Sequence, residues 1–296
     1  MFDGFARRKI RVGEATINCV VGGAGPPVLL LHGCPQNLAM WAGVAPLLTD
    51  RFTVVCTDLR GYGDSSKPHA MPDFSNYSFR TMAEDQLAVM KALGFERFHL
   101  AGHDRGARVA HRMTLDHPAA VQSMAVLDIA PTYTTYMEPN RQIAEGYWIW
   151  YFFSRPEPLP ERLIGADPDF FFESLLGSLG GPGLNGFAPE QLADYRRCWR
   201  DPAMVHGCCS DYRAAITLDL AADAADRGKK TIACPALALW GENGAPARYF
   251  DVESAWREWC TDLRAASLPS GHFFIDHMPR ETAKILLDFW AANTGC

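Results

Sequence analysis

The chain has 296 residues, of which 48% are hydrophobic and 21% charged, and its formal net charge is −6. This composition permits a substantial core and excludes a disordered or fibrous chain, and the acidic balance without a basic stripe argues against a nucleic-acid partner. No apolar run approaches the ~18 residues of a membrane span, and charge appears too early for a secretory leader, so we expect a cytoplasmic protein.

Short apolar runs alternate with helical patterns in the first half of the chain, which predicts strands at residues 28–31, 53–57, 98–101 and 124–129 and helices at residues 78–93 and 105–117. After Pro131 the chain is rich in aromatic residues and predicts no strand until about Arg227. Strands at residues 236–240 and 264–268 and a helix at residues 281–293 follow. We therefore predict an α/β fold, with a core of residues 1–130 and 228–296 and an inserted helical cap of residues 131–227.

Nine cysteines are scattered along the chain, the last of them at Cys296. They lack the spacing of a zinc site or of a redox pair. We therefore expect reduced thiols that pack as small hydrophobic side chains, and no metal.

The most informative segment is Gly-His-Asp-Arg-Gly at residues 102–106, between a predicted strand and a predicted helix. A bare G-x-D-x-G sequence could be a turn with a helix-capping Asp, but a strand before it and a helix after it are typical of a nucleophile elbow, with Asp104 in place of Ser. Attack of a carboxylate on an acyl carbon would give a costly anhydride. Attack on an sp³ carbon gives an alkyl ester that water can hydrolyse. Asp104 therefore predicts a carbon–halogen bond or an epoxide as the substrate.

Hydrolysis of that ester needs a base and an acid that orients it. His272 follows the last predicted strand after a Gly and is favoured as the base. Asp128 and Glu242 each follow a central strand, and we expect Asp128 to be the acid, with Glu242 as the second candidate. The His-Gly-Cys sequence at residues 32–34 lies where such hydrolases provide a backbone N–H for the oxyanion hole.

Two arginines, Arg105 and Arg108, lie on one face of the first turn of the helix after Asp104. They could be solvent-facing residues of an exposed turn. Because this turn begins at the nucleophile, however, two guanidiniums at the positive end of a helix predict a site for a carboxylate. The expected substrate is a small acid whose α-carbon carries the leaving group.

Four segments carry a resemblance to a known family: His-Asp-Arg-Gly-x-Arg at residues 103–108, Leu-Asp-Ile-x-Pro at 127–131, Tyr-Trp-x-Trp at 147–150 and Ser-Asp-Tyr-Arg at 210–213. Together they resemble the haloacetate (fluoroacetate) dehalogenases, a branch of the α/β-hydrolase superfamily, over essentially the whole chain. The resemblance implies an α/β-hydrolase fold with a cap, an aspartyl ester intermediate, no cofactor and a homodimer.

The same resemblance implies roles for the catalytic Asp104, Asp128 and His272, for the carboxylate-binding Arg105 and Arg108, and for the oxyanion-holding amides of Cys34 and Arg105. Family members surround the leaving halide with a His, a Trp and a Tyr. Trp150 and Tyr212 match the last two, but Ile149 occupies the position of the His. Fluoride is a poor leaving group that needs every donor, so we expect better activity with chloro and bromo acids than with fluoroacetate.

Two other functions stay open from the sequence. An epoxide hydrolase would share the Asp elbow and the late His, and its cap tyrosines would be Tyr212 with Tyr147 or Tyr151. Against it, such enzymes usually carry an apolar aromatic residue at the position of Arg105, and a neutral epoxide does not need the charge of Arg108. A non-catalytic binding protein on the same fold would keep the pocket but would need no nucleophile, base or acid.

Overall fold

A computed structural model of the protein describes residues 1–137 and 141–293, and an eight-stranded sheet runs through this part of the chain. The strand order is β1-β2-β4-β3-β5-β6-β7-β8. The strands are β1 Ala6–Val12, β2 Ala15–Gly22, β3 Pro27–Leu31, β4 Thr53–Thr57, β5 Phe98–His103, β6 Val121–Leu127, β7 Ala236–Gly241 and β8 Leu263–Leu268. Residues 138–140 and 294–296, with Cys296, lie outside the described residues.

Strands β3 to β8 are parallel, whereas β1 and β2 form an antiparallel hairpin whose second strand pairs antiparallel with β4. The six strands predicted from the sequence are confirmed within a few residues. The hairpin was not predicted, because β1 is an edge strand with five exposed residues among its seven and carries four Lys or Arg side chains. Such an edge lacks the alternating apolar pattern that marks a half-buried strand.

Fourteen α-helices lie in the described residues, and short 3₁₀ segments connect several of them. The helices are α1 Phe79–Ala92, α2 Arg105–Asp116, α3 Thr132–Met137, α4 Arg141–Gly146, α5 Trp148–Phe153, α6 Leu159–Ala166, α7 Pro168–Ser178, α8 Pro189–Trp199, α9 Pro202–Ala214, α10 Leu220–Asp226, α11 Ala245–Tyr249, α12 Val252–Arg257, α13 Phe274–His277 and α14 Pro279–Ala291. Helices α3 to α10 follow one another between β6 and β7, as the strandless stretch predicts. No helix of the described part is long and apolar enough to cross a bilayer.

The parallel register brings the carboxyl ends of the central strands to one edge of the sheet. Leu31 of β3 pairs with Gly102 of β5, and His103 of β5 pairs with Leu127 of β6. Strand β6 ends two residues earlier than the sequence predicts, because the chain turns at Asp128, whose φ is +52°. The loops after β3, β5 and β6 therefore meet at this edge, where the backbone N–H of Cys34 contacts the carboxylate of Asp104.

Candidate active site

Asp104 occupies a strained turn between β5 and α2, with a φ of +50° and a ψ of −114°. A Cβ on Gly102 would lie 2.3 Å from the carbonyl oxygen of Gly106, and one on Gly106 would lie 2.5 Å from that of His32. Both positions must therefore be glycine for strand and helix to approach this closely. A non-glycine residue with positive φ costs about 1–3 kcal/mol, and such strain concentrates at functional sites.

The carboxylate of Asp104 is buried and ionised. Its Oδ1 accepts a hydrogen bond from the backbone N–H of Cys34 at 3.0 Å. Burial by itself raises the pKa of Asp104, but the charges of His272 and Arg105 outweigh it and hold the pKa below its usual value. The group is thus a carboxylate at neutral pH, which is the form that attacks carbon.

His272 lies between the two aspartates of the site. Its Nδ1 lies 2.5 Å from Oδ2 of Asp128, and its Nε2 lies 4.0 Å from Oδ2 of Asp104. Burial by itself lowers the pKa of His272, but the hydrogen bond and charge of Asp128 outweigh it and hold that pKa above its ordinary value of 6.5. The backbone N–H of Gly241 donates to Oδ1 of Asp128 at 2.8 Å and so fixes the carboxylate.

Glu242, the second candidate acid, lies elsewhere. Its side chain is exposed, and its Oε1 accepts a hydrogen bond from the hydroxyl of Ser267 at 2.9 Å. The carboxylate that contacts His272 is that of Asp128.

A cavity of about 40 Å³ opens beside Asp104. Its lining includes Asp104, Arg108, Ile149, Trp150, Tyr212 and His272. One water needs ~10–15 Å³ on this scale, so the space holds a molecule of only a few non-hydrogen atoms.

The two arginines of the first turn of α2 are placed differently. Arg108 lines the cavity, donates from Nη1 to the hydroxyl of Thr132 at 2.9 Å and lies 4.4 Å from the ring centre of Trp150. Arg105 is fully buried and does not line the cavity. Within residues 1–137 and 141–293, Nη1 of Arg105 and Nε of Arg108 are buried donors without a hydrogen-bond partner.

Arg105 is held by Asp211 of α9, a partner that the sequence did not reveal. Its Nε donates to Oδ2 of Asp211 at 2.9 Å, and its Nη2 donates to Oδ1 of the same carboxylate. The hydroxyl of Tyr62 also donates to Asp211, at 2.7 Å, and the guanidinium stacks 4.0 Å from the ring centre of Tyr212. The sequence did hold one indication of this pair. A buried arginine needs an acidic partner, and Asp211 lies in the Ser-Asp-Tyr-Arg segment at residues 210–213.

Ile149, Trp150 and Tyr212 form the aromatic and aliphatic side of the cavity, as the sequence motifs suggest. The rings of Trp150 and Tyr212 lie 6.2 Å apart, and Tyr147 packs edge-on against Trp150 at 4.9 Å. Burial raises the pKa of the Tyr212 hydroxyl, which therefore stays protonated as a donor. Tyr151 is not among the lining residues of this cavity.

Comparison with known proteins gives several matches. A family model described as the alpha/beta hydrolase fold matches residues 26–277. A fluoroacetate dehalogenase of Burkholderia sp. is 57% identical over 98% of this chain and 95% of its own length. A soluble epoxide hydrolase of Corynebacterium sp. (strain C12) is 29% identical over 92% of each chain. The solved structure of a Nostoc sp. PCC 7120 protein is 48% identical, covers 100% of both chains and has a TM-score of 0.96.

Proposed function

This chain belongs to the α/β-hydrolase family, in its haloacetate (fluoroacetate) dehalogenase branch, and from this premise we propose that it hydrolyses the carbon–halogen bond of a small 2-halo acid. The products are a 2-hydroxy acid and halide. The observation that carries the proposal is the elbow residue, which is an ionised Asp104 in a small cavity shared with Arg108 and His272.

In the first step, the substrate carboxylate binds Arg108, the arginine that lines the cavity. Arg105 is buried outside that lining, and we propose that its Nη1 becomes a further donor when the cavity wall adjusts to the bound carboxylate. Both arginines are buried and carry donors that no described residue satisfies, which supports an anionic ligand. Oδ2 of Asp104 attacks the α-carbon, the carbon–halogen bond breaks, and the halide leaves with the bonding electron pair. The indole N–H of Trp150 and the hydroxyl of Tyr212 are the proposed donors to that halide.

In the second step, water attacks the Cγ of the Asp104 ester. The 4.0 Å between His272 Nε2 and Asp104 Oδ2 exceeds a direct hydrogen bond and fits a bridging water. His272 takes a proton from this water, and Asp128 stabilises the imidazolium that forms. The backbone N–H groups of Cys34 and Arg105 are the proposed oxyanion donors, and the first already contacts Oδ1 of Asp104 at 3.0 Å. The Cγ–Oδ2 bond then breaks, the proton on His272 passes to the leaving alkoxide to give the hydroxy acid, and the regenerated carboxyl of Asp104 loses its proton to solvent. No cofactor enters the cycle.

The direct test is halide release from fluoro-, chloro- and bromoacetate, set beside diol formation from styrene oxide. We expect halide release and no diol, because a cavity of about 40 Å³ is too small for a phenyl ring beside the nucleophile. Diol formation without halide release would instead support an epoxide hydrolase, and binding without turnover would support a non-catalytic receptor.

We also propose that the chain prefers chloride or bromide over fluoride as the leaving group, because Ile149 offers the halide no donor. One hydrogen bond to developing charge is worth about 1.5–3 kcal/mol, or roughly ten- to a hundredfold in rate. Ile149→His is therefore expected to raise fluoride release from fluoroacetate by about tenfold or more. The measurement is fluoride release relative to chloride release, with Ile149→Leu as the control that adds no donor. An unchanged or lower fluoride rate in Ile149→His contradicts the idea.

The two chemical steps should differ in their response to pH. A general base must be neutral, so ester hydrolysis should slow as pH falls through the pKa of His272, which lies above 6.5. Alkylation should persist to lower pH, because the pKa of Asp104 lies below 3.8. Rapid-quench measurement of both steps between about pH 5 and about pH 9 checks this expectation. Equal pH dependence of the two steps would contradict it.

The domain division, the oligomeric state and the location of the protein are proposals too. We propose that residues 131–227 form a cap unit over a core of residues 1–130 and 228–296, and that the protein is a cytoplasmic homodimer without nucleic-acid or membrane partners. Leu159, Leu163 and Phe170 of the cap helices are 50–71% exposed, which is consistent with a covered face in a dimer. Light scattering that gave a monomer mass would argue against the dimer.

A further inference from the structure

A second cavity, of about 240 Å³, adjoins the reaction cavity. Five residues line both spaces: Gly146, Ile149, Leu175, Leu179 and Ala245. We call the larger space the vestibule and this shared wall the neck. Because the two cavities have a common wall, an opening at the neck would lead from the vestibule to the space beside Asp104.

The neck carries only aliphatic or small side chains and offers no charge to an anion. A carboxylate that crosses it must give up part of its water shell, which is costly without a compensating partner. The protein also carries a net charge of −6, so its overall field does not favour the approach of an anion. A local cation near the neck would offset both effects.

Arg248 of α11 supplies such a cation. Its side chain lines the vestibule and is exposed, and it forms no ion pair within residues 1–137 and 141–293. The one carboxylate lining the vestibule in the same residues, that of Glu145, is paired with Arg141 at 2.8 Å. The two lining charges, those of Glu145 and Arg248, cancel in formal sum, but Glu145 is already paired with Arg141, so Arg248 is the lining charge that no described residue pairs.

We propose that the vestibule is the substrate entrance and that Arg248 receives the carboxylate of the halo acid before it crosses the neck. This inference rests on the proposed function, since it requires an anionic substrate. Arg248 raises the rate at which the halo acid associates with the protein, and it takes no part in bond breaking. Exposed charges act over about 8–10 Å at physiological salt, so the attraction is local and sensitive to ionic strength.

The test is the association rate of chloroacetate, measured by stopped-flow tryptophan fluorescence in the unreactive Asp104→Asn background, where Trp150 reports occupation of the cavity. Adding Arg248→Gln should slow association roughly three- to tenfold at about 10 mM ionic strength, and the difference should disappear at about 0.5 M. Arg248→Lys, which keeps the charge, should restore most of the rate.

Arg280→Gln is the matched control, because Arg280 is another exposed arginine that borders neither the vestibule nor the reaction cavity. It removes the same net charge and should change the association rate by less than about twofold. The proposal is overturned if Arg248→Gln associates as fast as its parent, or if Arg280→Gln is slowed equally. A wild-type protein that releases no halide would instead refute the proposed function.

The neck gives a second measurement. Leu175→Phe adds bulk to the shared wall and should slow association by a factor that does not change with ionic strength, because the barrier is steric. If Leu175→Phe leaves the rate of chloroacetate association unchanged, the substrate reaches Asp104 by another route, and the vestibule is not the entrance.

Discussion

Asp104→Asn is expected to lower halide release from chloroacetate by on the order of 10⁴-fold or more. The amide has nearly the shape of the carboxylate, so its carbonyl oxygen can still accept the hydrogen bond that the N–H of Cys34 donates at 3.0 Å. It carries no negative charge, however, and is a poor nucleophile toward carbon. Chloride release measured by ion chromatography checks the result.

A loss of this size must be separated from unfolding. We expect Asp104→Asn to stay folded with a modestly lower thermal midpoint, because the amide loses the attraction to His272 and Arg105 that holds the pKa of Asp104 low. Asp64→Asn is a suitable control, because it replaces a surface aspartate paired with Arg197 and should retain near wild-type halide release. An Asp104→Asn protein that is folded and still releases halide at more than about a tenth of the wild-type rate would refute the nucleophile.

His272→Asn should separate the two steps of the reaction. We expect one halide per active site to be released in a burst, followed by turnover reduced by on the order of 10³–10⁴-fold, because the ester forms and no base activates water. Intact mass spectrometry after incubation with bromoacetate should show the protein heavier by one carboxymethyl group, located by peptide mapping on Asp104. A protein of unmodified mass that has released its burst of halide would contradict an ester intermediate.

The acid that supports His272 can be identified in the same assay. Asp128→Asn should also accumulate the ester, because the carboxylate that contacts Nδ1 of His272 at 2.5 Å is lost. Without that carboxylate, the effect of burial is no longer outweighed by Asp128, so the pKa of His272 should fall below its present raised value. Glu242→Gln is the matched control and should turn over normally, since that side chain is exposed and contacts Ser267. Ester accumulation in Glu242→Gln but not in Asp128→Asn would reverse the assignment.

The local parts of the protein were predictable from the sequence. The strands and helices around the elbow follow from apolar spacing, and the strained turn at Asp104 follows from the glycines beside it. The prediction that a carboxylate at position 104 attacks an sp³ carbon also comes from the type of that residue and its place between strand and helix. These features are set by residues close to one another in the chain, and a sequence pattern can therefore predict them.

Other features were decided only by the tertiary structure. Arg105 and Asp211 are 106 positions apart, and no spacing rule joins them, although their pairing determines which guanidinium lines the cavity. The choice of Asp128 over Glu242 as the contact of His272 depends on where two loops end. The vestibule with Arg248 exists only where helices α4, α5 and α7 meet α11. Buried charges and cavities are properties of packing between distant segments, so their partners and volumes appear only once those segments are folded together.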